Sequence, residues 1–226
     1  MPSDSPNRPW FLKGALVVYE SQQSGPPPRV IVFQYNPEQV KRTLERRAPE
    51  SKGSTPNKED LNRSIGPPLE TFNLSIVLDA ADQLAEPGQN QITVEHGLYP
   101  VLSVLEMLLY PSTALFQAID SLTARGVVQL SPADLPLVLL VWGKSRVVPV
   151  MLTGFSITEE NFDVNLNPIQ ARVELTLKVL TYLDLKKGTI GFDAYLSYQQ
   201  QKEQHAKNYQ AGGQESSVRD LLPNKR

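Results

Sequence analysis

Few residues in this 226-residue sequence can act as nucleophile, base or soft metal ligand: there are two histidines and no cysteine. His96 sits in Glu95-His96-Gly97, a pairing that raises general-base or metal chemistry. Adjacent helical positions do not share a face, and no cysteine or second neighbouring histidine completes a ligand set. A structural or surface role is therefore expected for His96, and an incidental one for His205 in its polar tail. Glu159, Glu160 and Asp163 lie close together among Asn161, Asn165 and Asn167. Paired carboxylates serve glycoside hydrolysis and oxygen-rich loops hold calcium, but the spacing matches no calcium loop. An Asn/Asp-rich turn between two strands explains these residues more simply. No Gly-x-Ser-x-Gly elbow occurs, and Gly212-Gly213 lacks the Lys-Ser/Thr of a phosphate loop. Lys41, Arg42, Arg46 and Arg47 form a basic cluster without interleaved aromatics, which favours a protein contact or a solvated face over nucleic acid. The chain is not expected to be an enzyme, and no catalytic, cofactor-binding or metal residue is assigned.

The elements that carry these residues read mostly as strands. Ala171, Val173, Leu175, Leu177 and Val179 alternate with Arg172, Glu174, Thr176 and Lys178, the period of a strand with one buried and one wet face. Residues 69–79 alternate likewise, with Phe72, Leu74, Ile76 and Leu78 on one side. Leu137–Trp142 and Val147–Leu152 are apolar on both faces and must be covered on both. An opposing sheet gives one cover, and a helix over about 95–110 is the best candidate for the other, with a neighbouring subunit the alternative. That helix is read from Leu98, Val101, Leu102, Leu105, Leu108 and Leu109, and Pro111 ends it. Residues 80–91 read as a polar loop, and 112–131 as a helical turn and a loop.

Segments 11–20 and 29–35 read as strands separated by a proline-rich turn, and 40–47 as extended. Residues 48–68 hold four prolines and two glycines; so long an irregular stretch is either a loop that orders on a partner or plain disorder. The domain organisation expected is a flexible extension at 1–10, a β domain over 11–185, and a helical or flexible tail over 186–226. Residues 191–210 of that tail read as a helix anchored by Phe192, Tyr195, Leu196 and Tyr198. The formal net charge of −2 asks for neither nucleic acid nor an anionic membrane. The longest apolar runs fall well short of the roughly 20 residues of a spanning helix. No secretory signal is visible, and the absence of cysteine fits a reducing compartment.

Several segments, in order over residues 11–182, resemble the tube-protein family of contractile injection systems, the phage-tail-like particles of bacteria. They are the strand Leu12–Glu20; the motif Phe33-Gln34-Tyr35-Asn36-Pro37-Glu38; the strand ending Val77-Leu78-Asp79; the turn Val141-Trp142-Gly143; and an ending carrying Pro168, Ala171, Arg172 and Val173. The sequence departs from the family at Asn165-Leu166-Asn167-Pro168, where a Gly-Thr-Pro turn is usual, and it lacks the LysM module of many relatives.

The resemblance implies a tail-tube-like fold: mainly β, a sandwich or barrel with a flanking helix. It also implies six-fold rings at the junction of spike hub, inner tube and baseplate. Expected partners are further copies of the chain, the spike hub, the inner tube and other baseplate proteins, with no nucleic acid, no membrane insertion and no cofactor. The expected location is the bacterial cytoplasm during assembly, then an injection particle. Interface candidates are Asn36, Pro37 and Glu38, the basic Arg42, Arg46 and Arg47, and Arg172, Glu174 and Lys178 on the wet face of the last strand. The alternatives are a glycan- or protein-binding β-sandwich module, and a cell-wall hydrolase using Glu159 or Glu160.

Overall fold

The alternating segments become strands of one antiparallel sheet in the computed structural model, which describes residues 12–20, 26–47, 64–110, 113 and 135–209. In chain order the strands are β1 (Ala15–Tyr19), β2 (Arg29–Val32), β3 (Val40–Glu45), β4 (Leu69–Asp79), β5 (Leu137–Val141), β6 (Val147–Phe162) and β7 (Pro168–Val179). The helices are α1 (Ala81–Leu84), α2 (Gln91–His96), α3 (Tyr99–Glu106) and α4 (Ile190–Lys207). The strand order is β2-β1-β5-β6-β7-β4-β3. The expected mainly-β fold with flanking helices is what the chain adopts. Residues 1–10, most of the 48–68 loop, nearly all of 112–131 and the end of the tail lie outside the described residues.

Phe72, Leu74, Ile76 and Leu78 of β4 face Leu177, Leu175, Val173 and Ala171 of β7 in register, and all eight are buried. Burial of each large apolar side chain contributes about 1.5–3 kcal/mol. These rows supply the centre of the core, and Leu98, Leu102, Leu105 and Leu108 from the α3 region join the same cluster.

The sheet is curled. On a flat sheet β2 and β4 would stand five strand spacings apart, about 24 Å. Yet Gln34, two residues beyond β2, donates Nε2–H to the Asp79 carbonyl at 2.7 Å and accepts from the Asp79 N–H at 2.8 Å. Two extended residues reach at most about 7 Å, so the sheet must bend until its ends approach. The family expectation of a sandwich or barrel therefore takes a single-sheet, barrel-like form.

Two sequence expectations need correction. The polar loop at 80–91 contains α1, whose first N–H (Ala81) is bonded by the Asp79 carboxylate at 2.8 Å. The single helix over 95–110 is two helices, beginning at Gln91 and interrupted at Gly97. Gly97 has φ +57, and Leu98 N–H is drawn to the Pro168 carbonyl at 2.9 Å, so the chain turns there to dock on the start of β7. A Cβ at position 97 would collide with that same carbonyl. β5 is covered on both faces, as its two-sided apolar sequence requires: Leu137–Leu140 are all buried. At Leu137 one neighbour is Gly191 at the start of α4, and Leu98, Leu102, Leu105 and Leu108 belong to the same buried cluster as β5.

The tail helix is anchored more deeply than its composition suggests. Thr189 caps it, its hydroxyl accepting from Phe192 N–H. Gly191, Tyr195 and Tyr198 are its buried residues, all on one face, while Leu196 is exposed.

Candidate functional site

Three of the interface candidates, Asn36, Pro37 and Glu38, lie on the link that carries the chain from one edge of the sheet to the other. Asn36 is held there by two bonds: its Oδ1 accepts from Gly14 N–H at 2.8 Å and its Nδ2 donates to the Leu12 carbonyl at 2.9 Å. The side-chain amide thus acts as an extra rung beside the chain leading into β1. Its role is to fix the link, with Gln34 fixing the other side on Asp79.

Between this link and the sheet runs a groove of about 510 Å³, lined by Asn36, Pro37 and Glu38 on one wall and Ser75, Val77 and Arg172 on the other. The structure therefore brings four of the candidates together. Ala80 N–H bonds the Ile169 carbonyl, so even residues of β4 face β7 and odd ones face away. β3 pairs with β4 only as far as Leu74. Val77 consequently turns its main-chain N–H and C=O toward the groove. The Ser75 hydroxyl, buried, has no hydrogen-bond partner among the described residues.

Arg172, Glu174 and Lys178 follow one another along the outer face of β7, opposite Val77, Ser75 and Thr71 of β4. On the other side they are opposite Thr158, Ser156 and Met151 of β6. The β6–β7 hairpin outruns the rest of the sheet. β5 pairs with β6 only over Val147–Val150, and beyond Val150 no strand among the described residues pairs that edge. The even residues of β7 face β6, so Phe155, Ile157 and Glu159 turn their main-chain groups outward from this open edge.

The hairpin ends in an ordered turn. Asp163 Oδ1 accepts from the N–H of Asn165 and of Asn167, each at 2.8 Å, and Asn167 Nδ2 reaches Asp163 Oδ2 at 2.9 Å. The same Asn167 amide donates to the Glu95 carbonyl at 3.0 Å, tying the turn to α2. The Asn167 side chain, then its N–H, hold the Asp163 carboxyl below the ordinary range. On this frame Val164 is 98% exposed and Leu166, at φ +66, is 73% exposed.

The basic cluster separates. Arg42 Nε approaches Glu70 Oε1 at 3.3 Å, and Glu70 is buried. Tyr198 Oη donates to Glu70 Oε1 and Lys202 Nζ to Oε2, each at 2.7 Å. Burial first, then the bond to Glu70, pushes the Tyr198 hydroxyl far above its ordinary value. Arg47 turns inward, donating to the Pro67 carbonyl at 3.4 Å, and Arg46 is exposed. Sequence reasoning missed Glu70, though a signal existed: it alternates in phase with Phe72 and Leu74.

The other chemical candidates stay apart. His96 and Glu95 are 3.8 Å apart, both well exposed. Among the described residues no group of three or more His, Asp or Glu side chains is placed to hold a metal. Glu159 and Glu160 are consecutive strand residues paired with Ala171 and Gln170. No helix of the described residues is long and apolar enough to cross a membrane. In comparisons with known proteins, no protein-family model and no curated protein matches this chain.

Proposed function

We propose that this protein is a structural subunit of a bacterial contractile injection system, a tube or baseplate adaptor that joins spike hub to inner tube by forming a six-fold ring. The observation that carries the reading is the edge of β6 from Met151 to Phe162, which no strand among the described residues pairs. Soluble proteins blunt or cover long strand edges, because unpaired N–H and C=O groups recruit further strands. A long edge left open on a rigid hairpin is suited to pairing with a neighbouring subunit. Head-to-tail contacts of this kind close into rings where the rotation allows. The outer edges of β2 and β3, unpaired by any strand among the described residues, and the exposed Val164 and Leu166 offer further contacts of the same class.

The family resemblance supplies the particle, and the location follows from it: the bacterial cytoplasm during assembly, then the finished particle. The mechanism is geometric. Each subunit's curled sheet is a rigid body, the hairpin edge pairs laterally, and the seam groove with the Arg172–Lys178 stripe meets the adjoining layer. Negative-stain imaging of the purified chain, alone and mixed with a candidate spike-hub protein, tests this. Rings or hub-bound assemblies are expected; dispersed single subunits in both samples would refute it.

A further inference from the structure

A second cavity, of about 370 Å³, opens between the β5–β6 turn, β3 and α4, and its charged lining is entirely cationic: Arg42, Arg146, Lys202 and the titratable His205, beside Trp142 and Tyr198. The Glu70 carboxylate lies beside it without lining it. Both Glu70 oxygens are already engaged, Oε1 by Arg42 and Tyr198, Oε2 by Lys202. That carboxylate thus serves Arg42 and Lys202 and does not pair with Arg146. Arg146 forms no ion pair among the described residues; its guanidinium stands 5.8 Å from the centre of the Phe72 ring. Lys202 Nζ lies 3.9 Å from the centre of the Tyr198 ring. Three cations therefore line the cavity, and Glu70 pairs with two of them.

We propose that this cavity is a receptor for a carboxylate-bearing peptide segment of a partner protein, with Arg146 as the principal anchor. A guanidinium presents a planar fork that matches a carboxylate in two parallel hydrogen bonds. Trp142 and Tyr198 supply apolar walls with polar edges, suited to the stem of a Glu or Asp side chain and its backbone. Charge complementarity sets the sign of the ligand, and the aromatic walls favour peptide over a bare inorganic anion. The site stands on its own residues and does not depend on ring assembly.

Trp142 gives the readout. Trp10 is the other tryptophan, so a Trp10→Phe chain reports from the cavity by fluorescence. It is titrated with blocked hexaglutamate, blocked hexalysine and inorganic phosphate, with folding checked by circular dichroism. Hexaglutamate is expected to give a saturable change, and Arg146→Gln to weaken it about tenfold or more, the scale of a lost charge-assisted hydrogen bond. Ser145→Glu, which places a tethered carboxylate at the cavity, is expected to abolish the response if Arg146→Gln fails to fold. Hexalysine should give none. No saturable response to hexaglutamate, an undiminished response in Arg146→Gln or Ser145→Glu, or equal affinity for phosphate would each overturn the proposal.

Discussion

Gln34 and Asp79 close the sheet on itself: one side-chain amide bonds both the N–H and the C=O of a residue on the far side of the strand order, at 2.8 and 2.7 Å. The amide takes the place a neighbouring strand would occupy. Gln34→Ala leaves the Asp79 main chain without its partner and is expected to cost about 1–3 kcal/mol. Gln34→Glu keeps the acceptor but sets a carboxylate against the Asp79 carbonyl, so it should cost no less. Urea unfolding of the two variants measures this; a Glu variant as stable as the parent would contradict the seam.

Glu70 binds α4 to the sheet through Tyr198 and Lys202. Breaking a fully buried ion pair costs about 3–5 kcal/mol, but here the cation side chains retain 36% (Arg42) and 31% (Lys202) exposure and can turn to water. Glu70→Leu is therefore expected to cost about 1–3 kcal/mol by chemical denaturation. Protease should also cut within α4 sooner in the variant than in the parent.

The Tyr198 hydroxyl is held protonated by burial and by Glu70. A pKa raised on folding means its stabilisation is whole below the unfolded tyrosine value, near 10, and is lost as pH rises from there through the folded value. Stability should accordingly fall above about pH 10. Tyr198→Phe should flatten that fall while lowering stability at neutral pH. A parent and variant with parallel alkaline curves would count against the Glu70 contact.

At Gly97 a side chain meets both a positive φ and the Pro168 carbonyl. Gly97→Ala should cost about 1–3 kcal/mol, read as a lowered midpoint with an unchanged urea slope.

Glu159 points its N–H out from the open edge of β6, so proline there removes an outward donor and no β6–β7 rung. Glu159→Pro should remain folded yet fail to assemble, while Glu159→Ala assembles as the parent does. Assembly by the proline variant would show that this edge is not used.

Much of the sheet was legible in the sequence because burial on one face writes itself as alternation. The 69–79 reading coincides with β4, and the inward row from Ala171 to Val179 is buried throughout. The helix break at Gly97 was not legible, since the leucine period runs on through a glycine whose positive φ only the docking on Pro168 imposes. The Glu70 contacts were hidden differently. Tyr198 and Lys202 lie 128 and 132 residues away, so only the fold could join them to it. The same holds for the groove, where Glu38 and Arg172 share one lining because β3 and β7 both pair with β4.

The most direct test of the account is the mass of the intact chain in solution by light scattering, from low micromolar upward, with Glu159→Pro alongside. The account predicts a closed species near six times the 25.2 kDa monomer for the parent, alone or once the spike hub is added, and a monomer for the proline variant. A parent that stays at 25.2 kDa at every concentration, with and without the hub, would contradict it.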